Sequence, residues 1–475
     1  MNRFFKPASL LCIALGISWL FAGAAFADRE ATHQKIIQQF GGTVSDQKLT
    51  GYVDRVGQTL ARVSDMPNVK YRFTVLDSPM VNAFALPEGD IYVTRGLLSL
   101  ANSEAELAGV LGHEIAHVTD SHSSGRQARS IGLSILSTVL GIATESKAVA
   151  DLTQMLGSGY IASYSRDQEF EADKLGIKFI RRAGYFPGAQ GDFLYSLQRE
   201  TELAKKKAGV TGRGDPFGGF FASHPNTADR VERAHLQAKK AEQRQIEAGV
   251  TSPRQARNEY LSVIDGLVFG DSAEQGFVEE QRFSHPILRL TFKVPAGFQL
   301  HNQSDAVVAG GPNGNRIRFD MIERSNYNSP TDYIRREWGK NLRLIKLGNT
   351  RVNGMDAAVG VARVRQNNKS TLYRLVALRG DQGQYYRFAF ADPQETNHHV
   401  MSETVSSFRR LSPKEASKLR PKRIQVVQVR NNRSHEYFAK KMRVEKVPLD
   451  LFRVLNGLQP GQPLTKGQRV KIVAH

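Results

Sequence analysis

Apolar residues recur at helical spacing over Leu107, Val110, Leu111, Ile115 and Val118, a stripe that predicts a buried helix. Asn102-Ser103-x-x-Glu106, just upstream, has the make-up of a capping box and starts that helix. Ile36 to Ala61 also reads as helix, and Tyr71-Arg-Phe-Thr-Val-Leu76 as a strand. Asn82 to Thr94 predicts two strands turned at Pro87-Glu-Gly89. Phe170, Leu175 and Ile177 mark a partly buried helix after Ser165, and Thr227 to Ala248 a charged one that closes the first half. Ile131 to Ile142 is strongly apolar but too short to span a bilayer. It reads as a packed helix, or else as a surface touching membrane or a partner.

Past about residue 255 the period changes to two. Leu288-Arg-Leu-Thr-Phe-Lys-Val294 and Arg316-Ile-Arg-Phe-Asp-Met321 alternate strictly, Thr371 to Arg379 and Gln384 to Ala391 are further β runs, and a helix falls at about Thr331 to Asn341. Residues 255–411 are thus an antiparallel α+β domain of unknown role, and on pattern it resembles the sandwich of PsbP-like proteins. Ser412 to Lys422 is a Pro- and Lys-rich linker. Residues 423–475 resemble a LysM module. Phe438-Ala-Lys-Lys-Met442 suits its first helix, Leu451-x-x-x-Leu-Asn-Gly-Leu458 its second, and Leu464-x-x-Gly-Gln-Arg-Val-Lys-Ile472 its closing strand. The resemblance implies binding of peptidoglycan-type glycans, although Asn431-Asn432 replaces the usual opening Gly-Asp.

The chemistry lies in Val110-Leu-Gly-His-Glu-Ile-Ala-His-Val118. Residues four apart lie one above the other on a helix, so His113 and His117 can hold one metal ion from one face. Glu114 reaches the same side, where it can take a proton from water activated by the metal. Histidines on a buried helix need polar partners, and a metal supplies them. A catalytic zinc takes three protein ligands. In Ser165-Arg-Asp-Gln-Glu-Phe-Glu-Ala-Asp173, Glu169 and Asp173 share a helical face while Glu171 points away. That favours Glu169 as the third ligand and Asp173 as the acceptor that orients a histidine ring. His122 comes five residues after His117, faces away, and is read as a non-ligand.

Taken together, His113-Glu-x-x-His117 and Ser165-Arg-x-x-Glu169-x-x-Ala-Asp173 resemble the zinc metallopeptidase family of the CAAX prenyl proteases, HtpX and BepA. Asn82-Ala-Phe-Ala-Leu-Pro-Glu-Gly89 before Val93-Thr-Arg-Gly-Leu97 extends the match, as does Ser223-His224-Pro225 with Arg230 following. The resemblance covers about residues 33–245. It implies a mainly helical gluzincin-like fold, one zinc per chain on His113, His117 and Glu169, and Glu114 as catalytic base. It also implies an open edge strand near Asn82 that pairs with an extended substrate. Proline confines His224 to extended backbone, which presents its imidazole from a defined position. There it can stabilise an oxyanion, occupy the open metal position and hold the enzyme off, or cap local backbone groups; the second use is favoured.

Composition adds the setting. Arg3 and Lys6, the apolar run Leu10 to Phe21, and Ala25-Phe26-Ala27 form a signal peptide cut after Ala27, which implies a periplasmic protein. Cys12 is the single cysteine, so a mature chain has no disulfides. The formal net charge of +19 becomes +17 without the two basic residues of 1–27. Such a surface favours anionic envelope partners, peripheral membrane contact included, while no nucleic-acid signature appears. The chain therefore reads as α+β: signal peptide 1–27, peptidase domain 28–250, α+β domain 255–411, linker 412–422 and LysM-like module 423–475. Its function reads as an exported zinc endopeptidase acting on misfolded or unassembled envelope proteins. The alternative is an adaptor that uses the peptidase fold only to bind protein.

Overall fold

Gly112 and Gly176 let two helices meet backbone to backbone. The helix Glu104–Asp120 carries the His-Glu-x-x-His motif, and Arg166–Arg182 carries the acidic pair. A Cβ on Gly176 would stand 3.1 Å from the His113 amide nitrogen, and one on Gly112 would stand 3.3 Å from the Gly176 carbonyl oxygen. Neither side has room for a methyl group, so the glycines fix how deeply the two faces interlock. The computed structural model describes residues 29–120, 164–208, 220–224, 229–366, 369–395, 398–431 and 433–475. The expected signal peptide, His122, the apolar run at 131–142 and most of 205–219 lie outside the described residues.

The motif helix is buried from Glu104 to Val118, which explains why its sequence is apolar on nearly every face. Its start is tied as expected: the Glu106 amide donates to Ser103 Oγ, and the Asn102 amide donates to the Glu106 carboxylate. Glu104, fully buried, accepts from the Tyr185 hydroxyl at 2.7 Å and the Arg254 guanidinium at 2.8 Å. Ser165 and Gln168 form a reciprocal capping box on the second helix. The helices Ala189–Ala208 and Arg230–Glu247 complete the bundle.

Beside the bundle lies a three-stranded sheet. Asp90–Thr94 runs parallel to Arg72–Leu76 on one side and antiparallel to Ala83–Ala85 on the other. Gly89, at φ +92°, makes the hairpin turn. The Leu86 amide donates to Asp90 and the Thr94 amide to Asn82. By alternation, the backbone groups of Val81, Ala83 and Ala85 face the opposite way, towards the sheet edge, where this buried strand pairs with no further strand among the described residues.

Two larger regions follow. Residues from Gln299 to Asp392 form a seven-stranded sheet that Leu344–Val352 and Gln299–Asn302 bound, and a four-stranded sheet lies against it. Their shared core is a cluster of rings from Phe283, Phe292, Phe319, Phe388 and Phe408. The helix expected near Thr331 runs Pro330–Tyr333 and widens into a π turn at Ile334–Trp338, ending before Gly339. Overall the fold is α+β.

The last segment has the order strand, helix, helix, strand: Lys422–Gln428, His435–Ala439, Pro448–Leu455 and Arg469–Ala474. Both helices begin about three residues before the positions read from the pattern. The segment is not set apart from the helix bundle, because Phe438, Phe452, Val470 and Val473 share one core with Leu97, Leu100 and Leu111. Lys471, fully buried, donates to the carbonyls of Ser99, Leu100 and Ala101 at 2.9, 2.9 and 2.7 Å. Three acceptors require three N–H donors, so the ammonium form is the one held, although burial pushes its pKa down. These carbonyls end the helix Arg95–Leu100, where a cation is favoured. In the expected linker, Ser412 caps the turn Pro413–Ala416.

The glycine contact has a measurable consequence. Gly176→Ala is expected to lower unfolding stability by about 1–3 kcal/mol through overpacking. Gly51, exposed in the helix Gln47–Ala61 with nothing near its Cβ position, should instead gain about 0.5–1 kcal/mol on conversion to Ala. Urea unfolding of both variants checks the contrast, and equal shifts would remove the steric argument.

Candidate metal centre and active site

The helix crossing brings five sequence-selected side chains together. His113 and His117 stand one turn apart with their Nε2 atoms at 3.0 Å. Glu169 comes from the crossing helix, with one oxygen 3.5 Å from His113 Nε2 and the other 3.4 Å from His117 Nε2. His224 arrives from the short turn Phe220–Ser223, its Nδ1 at 3.0 Å from Glu169 and 3.3 Å from His113 Nε2. Glu114 lies on the far side of His224, 3.6 Å from its Nε2. All five are buried.

These spacings test whether a metal fits. Ligand atoms about 2.0–2.1 Å from a tetrahedral centre stand roughly 3.3–3.4 Å apart, and the donor separations above run from 3.0 to 3.5 Å. One donor atom from each of His113, His117, Glu169 and His224 forms a set within 4.8 Å. Charge points the same way: counted as ionised, the buried carboxylates Glu114, Glu169 and Asp173 outnumber the cations Arg230 and His113 by one. Among the described residues neither oxygen of Glu114 has a hydrogen-bond partner, a costly arrangement in a dry site unless another group meets them. The donor set fits a divalent cation.

Asp173 sits behind the cluster, with Oδ1 3.0 Å from His113 Nδ1. Arg230 holds both carboxylates at once. Its Nη1 is 2.5 Å from Glu169, and its Nε and Nη2 donate to Asp173 at 2.7 and 3.0 Å. Burial pushes the Glu169 carboxyl up, but the charges of His224 and Arg230 and hydrogen bonds from His113 and His117 outweigh it and hold the group well below the usual range. Asp173 is likewise raised by burial and lowered, chiefly by Arg230, to about 2. Burial lowers His117 to about 3 and keeps it a neutral donor. His113 is pulled up to about 9, because its two carboxylate neighbours outweigh its burial. Burial, unopposed by any hydrogen bond, raises Glu114.

Glu171 points away from the centre and pairs with Lys174 on the surface. Two members of the site were given no role from the sequence. Arg230 follows the His224 pattern but sits in a helix whose many charges suggest solvent. Tyr164 stacks under His117, ring centres 3.7 Å apart, and only its position beside the Ser165 cap hinted at burial.

Residues 47–238 match the model for peptidase family M48. The chain is 30% identical over 268 residues to a putative beta-barrel assembly-enhancing protease of Vibrio cholerae, covering 50% of this chain and 53% of that protein. It is 31% identical over 171 residues to the mitochondrial metalloendopeptidase OMA1 of Arabidopsis thaliana, covering 36% and 32%. The chain thus spans about half the length, or less, of these curated relatives. Over 30% of the chain it is similar to the solution structure of cyanobacterial PsbP from Synechocystis, at 16% identity, 98% coverage of that protein and a TM-score of 0.22.

If Asp173 sets the His113 ring, Asp173→Asn should weaken divalent-metal binding about 10–100-fold, as outer partners of metal ligands usually do. Chelator competition measures this, with a melting curve in parallel. Unchanged affinity in a folded variant would leave Asp173 as a structural partner of Arg230 and Gln190.

Proposed function

We propose, from the membership of residues 47–238 in peptidase family M48, that the chain is a zinc endopeptidase for unfolded or unassembled proteins of the bacterial envelope. The observation that carries this reading is the spacing of four buried donors beside Glu114, a carboxylate with no hydrogen-bond partner among the described residues. His113, His117 and Glu169 would hold the ion. Zinc, when bound, supplies Lewis acidity, polarising the scissile carbonyl and lowering the pKa of a water ligand to about 7.

Everything else falls to the chain's own side chains. Glu114 takes the proton of the attacking water and passes it to the leaving amine. Its burial favours the protonated form midway. Asp173 fixes the His113 ring through Nδ1 and leaves Nε2 free to bind. Arg230 keeps Glu169 ionised. The free edge of Ala83–Ala85 offers backbone groups to an extended peptide, and recognition through backbone suits substrates that share no side-chain motif. His224 supplies a fourth donor, at tetrahedral spacing from His113 and Glu169. We read it as closing the position that water and substrate need, so the resting enzyme is held off.

The envelope setting rests on the signal-like residues 1–27 and on the similarity to the putative beta-barrel assembly-enhancing protease of Vibrio cholerae. Among the described residues, no helix is long and apolar enough to cross a membrane. The basic surface suits anionic envelope polymers. Residues 423–475 we read as scaffold rather than a glycan-binding arm. The Leu458 carbonyl accepts from Arg199 at 2.6 Å and Gln459 from Tyr195 at 3.0 Å, so that loop is spent on the peptidase helix.

Two variants test the reading. Glu114→Gln should keep its metal by elemental analysis yet lose at least about 100-fold in casein turnover, the lower range for a general base; turnover at the wild-type rate would sink the mechanism. His224→Ala should keep its metal and raise basal turnover. A fall in turnover at full metal content would instead assign His224 to the oxyanion.

A further inference from the structure

Beside His113 the bundle encloses an apolar cavity walled by Val110, Phe193, Leu194 and Leu197 and stoppered by Phe220. The space still free there is about 10 Å³, enough for a single water. Most of the lining comes from two long helices, Glu104–Asp120 and Ala189–Ala208, with Gln190 and Arg230 as polar members. Phe220 comes from the turn that brings His224 to the metal cluster.

Phe220 has the contacts of a bound peptide. Its amide donates to the Val81 carbonyl at 2.8 Å, and Val81 lies on the side of the edge strand that faces away from Asp90–Thr94. Its ring is buried against the cavity, 6.1 Å from the His113 ring and stacked on His224 at 4.2 Å. One residue thus makes a backbone bond to the free edge and fills an apolar pocket next to the candidate ligands.

We propose that this cavity is the subsite for a bulky apolar side chain of the substrate, and that Phe220 fills it as an internal competitor. The proposal rests on the peptidase reading for its purpose but not for its test. It names a substrate class: an extended segment carrying an aromatic or large aliphatic residue beside the bond to be cut. Such residues are buried in folded proteins, so the pocket itself would select chains that have not folded or assembled. A segment lacking one leaves Phe220 in place and His224 stacked beneath it, which couples selection to access.

The test is binding without turnover, in the Glu114→Gln background. Fluorescent hexapeptides of alanine, with or without one central phenylalanine, are titrated by anisotropy. The phenylalanine peptide should bind about tenfold tighter or more, the scale of burying an apolar side chain in a pocket. Phe220→Ala should tighten that peptide severalfold further and leave the alanine peptide unchanged. Added to Phe220→Ala, Leu194→Phe, which refills the vacated space from the opposite wall, should abolish the discrimination. Circular dichroism checks that each variant is folded. Equal affinity for the two peptides, or a Phe220→Ala variant that shifts both alike, overturns the proposal. Discrimination that survives in a metal-loaded wild-type protein unable to cut casein would overturn the peptidase reading and keep the subsite. Cleavage without discrimination would do the reverse.

Discussion

Glu169 and Asp173 stand one turn apart on a buried helix face, and in a dry interior two like charges that close would drive each other to protonate. Arg230 prevents this. Its guanidinium lies between them, bonded to Asp173 through two nitrogens and to Glu169 through the third. The fork shape matters, because a lysine could not meet both carboxylates in one plane. Breaking such a buried pair typically costs about 3–5 kcal/mol. Arg230 also reaches towards the His224 carbonyl, at 3.5 Å. One side chain therefore ties the acidic helix, the His224 turn and its own helix into a single arrangement, and the donor geometry depends on it.

Much of this was legible from local pattern. Periodicity and the His113/His117 spacing marked the motif helix, the Glu169/Asp173 spacing marked the crossing one, and Pro87-Glu-Gly89 marked the hairpin. Each of these signals is complete within about a dozen residues. The unread parts depend on partners far away in the chain. Arg230 looks like one more charge on a polar helix, and only the two carboxylates near 170 explain its burial. Lys471 alternates with Val470 and Ile472 and so reads as solvent-facing, yet the strand Arg469–Ala474 is covered on both faces. Its three carbonyl partners lie some 370 residues earlier.

The same distance explains why the last segment resembles a separate module. Its own pattern of strand and helix is self-consistent, and nothing local reveals that its apolar face continues the core of the peptidase helices. Asn456 shows the integration at atomic scale. Its side chain bonds both the amide and the carbonyl of Lys471, holding the strand in register while the ammonium reaches across to the end of Arg95–Leu100. The fold thus spends a polar strand residue on the seat of the motif helix.

That seat also sets an order of events. A growing chain has all of its candidate ligands, base and Arg230 once residue 230 is made, but the clasp on Ser99, Leu100 and Ala101 waits for residue 471. Closing a contact across so long a stretch is slow compared with local helix formation. A half-made chain therefore carries the candidate ligands without the frame that supports the motif helix.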